Sequence, residues 1–333
     1  MARDLLPISI NLPPDLLTEI EGARDTMAAS KASSTQKAYA SDWERFCDFC
    51  DARNVEALPA HADIVALFAH VEAEAGIAPV TIGRRVAAIN HHHKEAGLAS
   101  PIARDAAGVI AQMMAGVRRK YARKKEQKAP AEAETLKAML ATIRGDGLRA
   151  LRDRAILAIG MAGAFRRSEL AAMQLPELKF MTSGLRVTVP RSKRDQEALG
   201  QVVAIPEGRH IRPVTLLKEW LTSAGLAGPD PASGKPQTGA VFRRLTRSDQ
   251  VTRDPITDKT VARLVKAAAL GAGLDPALYS GHSLRAGFLT QAAADRANLF
   301  KMKDHSRHRS LETVGDYVRD AAMFDDHAGE KSL

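Results

Sequence analysis

Six side chains that could do chemistry on a phosphate lie in four short segments of this 333-residue chain. The segments are GAFRRSEL, RSK, GHSLRAGF and SRHRSLETVGDYVRD, in that order. They supply two arginines, a lysine, two histidines and a tyrosine: Arg166, Lys193, His282, Arg285, His308 and Tyr317. Arginines bind phosphate oxygens through paired hydrogen bonds and stay charged at any relevant pH. The inventory therefore suits transfer of a phosphoryl group to a tyrosine without a metal ion.

Two of these arginines are candidates for holding the phosphate. Two guanidinium groups can bind its non-bridging oxygens and offset the charge of a pentavalent transition state. Arg167 competes with Arg166 for this role. The Arg-x-x-Glu spacing puts Glu169 on the same helix face as Arg166, where it could orient that side chain. This spacing favours Arg166, with Arg285 as the second arginine.

The remaining four residues have separate expected roles. His282 stands three residues before Arg285 on one turn at a helix start, where backbone N–H groups favour anions. Lys193 lies at the tip of a predicted hairpin and could donate a proton, and His308 precedes the start of another helix. Tyr317 is the expected nucleophile. Singly, each has an ordinary structural explanation, but four segments in this order favour one shared site.

Periodicity predicts the elements that must position these residues. The first half predicts helices that begin near Pro14, Ser34, Asp63 and Pro79, the last of these ending at Gly97, and a fifth over Ala103–Ala122. The second half predicts helices over Ala133–Ile143, Leu148–Ala162, Pro213–Ala224 and Thr257–Ala272, and valine-rich strands over Leu185–Lys193 and Gly200–Pro206. The expected fold class is mainly α (α+β). A helical domain with a basic linker spans residues 1–128, and a mostly helical domain with a small antiparallel sheet spans residues 129–333.

The charge distribution favours a polyanion as partner. The chain has 48 basic and 39 acidic residues, for a net charge of +9. Residues 78–128 hold 11 basic and 3 acidic residues, whereas residues 1–77 hold 6 and 13. The segment VRRKYARKKEQK, residues 117–128, is expected to be an exposed linker that crosses a nucleic-acid backbone. A basic protein with a solvated surface is the alternative.

Other classes of protein are disfavoured. The longest apolar run, residues 155–165, is too short to span a bilayer, and the first residues do not resemble a signal peptide, so a cytoplasmic location is expected. The two cysteines, Cys47 and Cys50, fall on a predicted helix face with no second pair at zinc-like spacing. The consecutive histidines His91, His92 and His93 point in three directions, which disfavours a metal site.

The four C-terminal segments resemble those of the tyrosine recombinases, the phage integrase family, and the two-domain layout is similar to that of Cre-type recombinases. The resemblance runs from about Ser33 to about Gly329 and is most specific after Pro130. It implies a helical core-binding (SAM-like) domain followed by a tyrosine-recombinase catalytic domain. One departure is visible, because many members have glycine where this chain has Arg307.

The resemblance also implies what each residue does. Arg166 and Arg285 match the catalytic arginines and Lys193 the hairpin lysine that protonates the leaving 5′ oxygen. His282 matches the histidine of the HxxR motif, His308 a His/Trp position, and Tyr317 the nucleophile. The implied activity is site-specific DNA recombination through a 3′-phosphotyrosine, without metal or nucleotide cofactor. The implied partners are double-stranded DNA with an inverted-repeat site and copies of the chain that form a tetramer on two sites.

Basic and polar residues of the first half are the expected DNA contacts. The helix predicted from Pro79 is a candidate for the major groove, and the basic segment for phosphate contacts. The residues are Thr81, Arg84, Arg85, Asn90, Lys94, Arg118, Arg119, Lys120, Arg123, Lys124 and Lys125. Two alternatives stay open at this point: a type IB topoisomerase, which uses a similar set, and a non-catalytic DNA-binding relative.

Overall fold

The computed structural model describes residues 33–122, 128–190, 200–231 and 233–321, together with residues 16, 19, 20 and 22. The chain divides into two compact units, Met1–Glu126 and Gln127–Leu333. Within the described ranges, no helix is long and apolar enough to cross a membrane.

The described part of the first unit is helical. Its helices are α1 (Ser33–Asp51), α2 (Ala62–Glu74), α3 (Pro79–Glu95), the single turn α4 (Pro101–Arg104) and α5 (Val109–Lys120). The rings of Phe46, Phe49 and Phe68 pack against one another at the centre of the core. Cys50 is fully buried in the same core, as the helix-face interpretation of the cysteines expected.

The single helix predicted over Ala103–Ala122 is wrong, because the chain breaks between α4 and α5. Gly108 takes a left-handed conformation with φ of 68°. The carboxylate of Asp105 accepts hydrogen bonds from the backbone of Val109 and Ile110 at 2.9 and 2.8 Å. This cap starts a new helix, since it satisfies N–H groups that have no partner within the helix.

The second unit is mostly helical with two small sheets. Its helices are α6 (Ala133–Thr142), α7 (Leu148–Ala162), α8 (Arg167–Ala172), α9 (Pro213–Ser223), α10 (Asp258–Gly271), α11 (Ser283–Ala294), α12 (Leu299–Ser306) and α13 (Leu311–Ala321). Its strands are β1 (Leu178–Met181), β2 (Gly184–Val189), β3 (Gln201–Ile205), β4 (Arg243–Leu245) and β5 (Val251–Pro255).

The two predicted strands are present as β2 and β3, which pair antiparallel with Val187 opposite Val203. The alternation along β2 buries Leu185, Val187 and Val189, which is why the pattern was visible in the sequence. Strand β1 adds a third strand on the other side of β2, and β4 pairs with β5 in a separate hairpin. Neither β1 nor the β4–β5 hairpin was predicted, because these strands are short and largely exposed to solvent.

Helix α11 is held at the centre of the second unit by close backbone packing. Gly287 lies against the backbone of Ala131, where a Cβ atom would clash. The carbonyl of Ser283 accepts a hydrogen bond from the Ala131 N–H at 2.9 Å. The buried helix α7 lies beside it and ends at Ala162, so the loop that follows α7 runs close to α11. This arrangement brings the arginine segments together.

Candidate active site

The guanidinium of Arg285 lies at the centre of the candidate site. Its helix, α11, places it inside the unit, where the residue is only 1% exposed. Nη1 donates a hydrogen bond to the Ala164 carbonyl at 2.8 Å, and Nη2 lies 3.2 Å from Nδ1 of His308. Ala164 takes a φ of 46°, a conformation that is uncommon for a residue with a Cβ atom. The loop after α7 therefore holds a strained backbone that presents a carbonyl to the arginine.

The Nδ1 atom of His308 faces Arg285. A guanidinium has donors but no acceptor, so a hydrogen bond from Arg285 to this atom requires the tautomer of the neutral ring with its proton on Nε2. Burial and the charge of Arg285 lower the pKa of His308 to about 3, so the ring is neutral at physiological pH. The hydroxyl of Ser306 lies 2.7 Å from the same Nδ1 atom and 2.7 Å from the Met302 carbonyl, and these contacts hold the ring in place.

Arg166 joins this cluster through the start of α8. The Glu169 carboxylate accepts from the Arg166 backbone N–H at 2.9 Å and from its Nη1 at 2.5 Å. Nη2 of Arg166 donates to the backbone carbonyl of Arg307 at 3.3 Å, immediately before His308. Arg167 points elsewhere, since its Nε lies 3.1 Å from Asp258. The structure thus brings Arg166, and not Arg167, to the loop that carries His308.

Arg307, noted from the sequence only as a departure, proves to be a buried member of the cluster. It ends α12 in a left-handed conformation with φ of 56° and ψ of 41°, which explains why glycine suits this position. Its guanidinium is 3% exposed and lies 2.8 Å from Glu169. The sequence showed an arginine at a position that favours glycine, but it did not show which groups the arginine side chain contacts.

Tyr317 lies on α13, half-buried against a small apolar cluster that includes Leu289 and Met302. Burial raises the pKa of its hydroxyl, the positive charge of Arg285 lowers it, and Asp316 raises it. Tyr317 is therefore within electrostatic range of the Arg285 guanidinium. Ser310 caps the start of α13 by accepting from the Glu312 N–H at 3.1 Å.

His282 and Lys193 complete the predicted set. His282 is exposed at the start of α11, and its backbone N–H donates to the Ser280 hydroxyl at 3.2 Å. His282 is one of the groups that lower the pKa of His308, after burial and two arginines, which places it near the same cluster. Lys193 lies outside the described residues, as does the predicted hairpin tip. The structure thus brings five of the six predicted residues into one region and says nothing of the sixth.

Several predicted DNA contacts on α3 are engaged within the first unit. Arg84 makes two hydrogen bonds with the buried Asp42, at 2.8 and 3.0 Å. Arg85 is 17% exposed and forms an ion pair with the buried Glu72. The Asn90 amide donates to a backbone carbonyl of its own helix and accepts from the N–H of Ile102 in α4. These contacts give Arg85 and Asn90 a structural role that the sequence did not reveal, and they leave Arg84 half-exposed.

The other predicted contacts are on the surface or outside the described residues. Thr81 is partly exposed and Lys94 is exposed. Three exposed cations at the expected start of the linker instead form the last turn of α5: Arg118, Arg119 and Lys120. The linker interpretation of those three is therefore wrong, because Val117 is buried and anchors the turn in the core. Arg123, Lys124 and Lys125 lie outside the described residues.

The three consecutive histidines have three different environments. His91 lies 3.2 Å from Glu95, and His92 stacks on the ring of Trp43. His93 is fully buried, accepts the Ala60 N–H at Nε2 and lies 2.8 Å from the Ile89 carbonyl at Nδ1. Among the described residues, no group of three histidine, cysteine or acidic side chains is arranged to hold a metal ion.

A basic stripe on α10 was not found from the sequence. Lys259, Arg263 and Lys266 are all exposed and recur at helical spacing on one face, while Val261 and Val265 are buried on the other. The helix ends just before the segment that leads to His282. The alternation of apolar and basic residues was visible in the sequence, but it was interpreted only as a helix.

Comparison with known proteins decides the family. The phage integrase family matches residues 131–323, which is more than half of the chain. The chain belongs to the phage integrase family. An integrase/recombinase XerD homologue of Selenomonas ruminantium is 34% identical over 308 residues, covering 92% of this chain and 87% of the relative. The tyrosine recombinase XerD of Xanthomonas axonopodis pv. citri is 33% identical over 183 residues, 55% of each chain.

Solved structures of integrases and recombinases have the same fold. A lambda integrase dimer bound to a COC′ core site matches with a TM-score of 0.56 at 16% identity, over 92% of this chain and 94% of that one. XerH bound to a palindromic difH substrate matches with a TM-score of 0.54 at 17% identity, over 82% and 71%. These matches show the fold. The family match and the XerD homologue, which is 34% identical over 92% of this chain, show a tyrosine-type site-specific DNA recombinase, and the topoisomerase alternative is set aside.

Proposed function

We propose that Tyr317 is the nucleophile of this recombinase and forms a 3′-phosphotyrosine with DNA. Its hydroxyl oxygen bonds to the scissile phosphorus while the bond from phosphorus to the 5′ oxygen breaks. A 5′-hydroxyl of the partner duplex then attacks the phosphotyrosine, which restores a phosphodiester and frees the tyrosine. The number of phosphoester bonds is unchanged at each step, so the cycle needs no nucleotide cofactor.

The contact between Arg285 and His308 carries this proposal. With the His308 proton on Nε2, the buried guanidinium and the neutral imidazole form a donor set for the non-bridging oxygens of a phosphate. Arg166, at the carbonyl before His308, adds a second guanidinium. Together these cations supply the positive charge that a metal ion supplies in other phosphoryl transferases.

Proton transfers fall to the two remaining residues. His308 is a donor in this arrangement, which leaves His282 as the imidazole that takes the proton of the Tyr317 hydroxyl. Lys193, by its match to the family's hairpin lysine, gives a proton to the departing 5′ oxygen. The same groups act in reverse when the strands are rejoined.

Both units would contribute to DNA binding. The α10 stripe of Lys259, Arg263 and Lys266 lies in the same unit as the cluster and suits phosphate contacts. In the first unit, Arg84 and Lys94 of α3 are exposed and Thr81 is partly exposed, and the cations at the end of α5 are exposed as well. Arg123, Lys124 and Lys125 would extend this basic surface.

The assembly that we propose is a tetramer on two inverted-repeat sites. Support comes from the relatives, because XerH was solved on a palindromic difH substrate and lambda integrase as a dimer on a core site. A twofold site binds two copies of one chain in equivalent ways. Exchange between two duplexes then requires two such pairs.

A covalent-capture assay tests the proposed chemistry. The full chain is incubated with a pool of randomised-sequence duplexes that carry a nick, so that a cleaved strand diffuses away and the adduct accumulates. We expect wild type to give protein–DNA adducts that survive denaturation, and Tyr317→Phe to bind the selected duplexes without forming any. Tyr279→Phe, which removes a hydroxyl elsewhere in the same unit, serves as the control and should form the adduct. Adducts formed by Tyr317→Phe would refute the assignment.

A further inference from the structure

The backbone of Arg307 is in a conformation that a residue with a Cβ atom adopts only at a cost. Its φ of 56° and ψ of 41° fall in the left-handed region, which glycine enters freely. A long, charged side chain at such a position is maintained only when its contacts offset that cost. The contacts of Arg307 show what the side chain does.

The guanidinium of Arg307 is almost enclosed by protein groups. Nη1 donates to the carbonyls of Gly163 and His305 at 3.1 and 2.7 Å. Nη2 donates to the Ala164 carbonyl at 3.1 Å and to Glu169 at 2.8 Å, and the group lies over the Phe165 ring. With 3% of the side chain exposed, Arg307 does not present its charge at the surface. Any effect on DNA chemistry must pass through other residues.

Arg307 connects the two arginines of the proposed site. Glu169 binds Arg307 through Oε2 and Arg166 through Oε1, and Arg166 in turn donates to the Arg307 carbonyl. This forms a closed set of contacts between α8 and the end of α12. On the other side, Arg307 and Arg285 donate to the same Ala164 carbonyl. One buried side chain thus fixes the partners of both catalytic candidates.

We propose that Arg307 is a positioning residue that holds Arg166 and Arg285 for the scissile phosphate and adds a positive charge beneath them. This inference rests on the proposed function of the two arginines. Glycine at this position would only let the backbone turn, whereas the side chain of Arg307 also holds the site together.

Three variants distinguish a positioning role of the Arg307 side chain from a role of its backbone conformation alone. Arg307→Met keeps the backbone cost and the length but loses the charge and the hydrogen bonds. Arg307→Gly relaxes the backbone and loses the side chain. Arg307→Lys keeps the charge with a single donor group. Folding of each is checked by circular dichroism and thermal melting, and duplexes selected with wild type provide the substrate.

We expect adduct formation by the Met and Gly variants to fall by on the order of a hundredfold, the loss that a misplacement of about 1 Å produces. Their affinity for the duplex should stay close to that of wild type, because Arg307 does not reach DNA. The Lys variant should recover part of the rate. A folded Gly variant that cleaves at the wild-type rate would overturn the inference, since a turn alone would then suffice. If the Met variant fails to fold, the Gly and Lys variants carry the same comparison.

The pH profile gives a readout that a purely structural role would not move. Burial raises the pKa of Glu169, while Arg307 and Arg166 lower it and leave it below its ordinary value. Arg285 is a further charged group near this carboxylate. Without Arg307 the Glu169 pKa rises, so Glu169 becomes protonated at a higher pH. As the pH is lowered, the rate of adduct formation should therefore begin to fall at a higher pH in Arg307→Gly than in wild type. If the rate of adduct formation falls at the same pH in wild type and Arg307→Gly, the inference is contradicted.

The outcomes also distinguish this inference from the proposed function. If wild type forms no tyrosine adduct, the proposed chemistry fails. If wild type forms the adduct and the Arg307 variants match it at every pH, only the positioning role fails.

Discussion

Replacing Arg285 by methionine should make the free protein more stable while abolishing its chemistry. Burial, together with the charges of Arg166 and Arg307, lowers the pKa of Arg285 by more than three units, to about 9. Each pKa unit corresponds to about 1.4 kcal/mol, so keeping this charge in the folded state costs roughly 5 kcal/mol. Methionine removes that cost but leaves Nδ1 of His308 with one donor fewer, a loss of about 1–3 kcal/mol.

The expected net gain for Arg285→Met is therefore about 2–4 kcal/mol. For a unit of this size, about 1 kcal/mol shifts the melting temperature by ~2–4 °C. The matched control is Arg152→Met. Arg152 is also buried, but it forms a 2.7 Å ion pair with Asp153. Removing it leaves the partly buried Asp153 carboxylate, 18% exposed, without its partner. We expect a loss of up to about 3–5 kcal/mol, the range for breaking a buried pair.

Thermal and urea unfolding of both variants, followed beside adduct formation, test this reasoning. The advantage of Arg285→Met should shrink above about pH 9. Between the folded and unfolded pKa values the unfolded wild type binds more protons, so wild-type stability rises with pH there. If Arg285→Met melts well below wild type, as the control Arg152→Met is expected to, the claim that Arg285 is a destabilising charge retained for function is refuted.

Three further predictions follow from the described contacts. Burial lowers the pKa of His93, so the stability that its neutral ring contributes is present above about pH 6.5 and is lost as the pH falls towards its folded pKa. The difference in unfolding free energy between wild type and His93→Gln should therefore shrink on acidification, and a constant difference would contradict this. Adduct formation should be unaffected by EDTA, because Arg166 and Arg285 provide the positive charge; a decrease that added Mg²⁺ restores would refute it. Replacing Lys259, Arg263 and Lys266 by alanine should reduce the slope of log binding constant against log salt by about 0.9 for each phosphate that is no longer neutralised. The partly exposed Lys137, which pairs with Glu134, gives the control substitution Lys137→Ala, and an unchanged slope in the triple variant would exclude the stripe from the DNA interface.

Local patterns explain which parts of the fold the sequence could predict. Helix α7 was predicted over the residues where it lies, because its apolar residues repeat at helical spacing from Leu148 to Ala162 and no proline interrupts them. Strand β2 was visible from its alternation. The break before α5 was missed because a carboxylate cap at Asp105 looks, in the sequence, like an ordinary polar residue within a helix.

Long-range pairing explains what the sequence could not show. Arg84 and Arg85 looked like groove-facing cations, yet their partners Asp42 and Glu72 come from α1 and α2. Their spacing in the chain gives no sign of these pairs, which form only when three helices pack. Arg307 is a similar case, because its charge was visible but its partner lies 138 residues away.

The residue in the covalent link tests the central claim most directly. Adducts captured on the nicked duplexes are digested with trypsin and nuclease, and the modified peptide is sequenced by mass spectrometry. Cleavage after Arg309 and Arg319 releases SLETVGDYVR, whose one tyrosine is Tyr317. We predict a nucleotide attached through its 3′-phosphate to that tyrosine. A nucleotide on any other peptide, or on a serine of this one, would contradict the account.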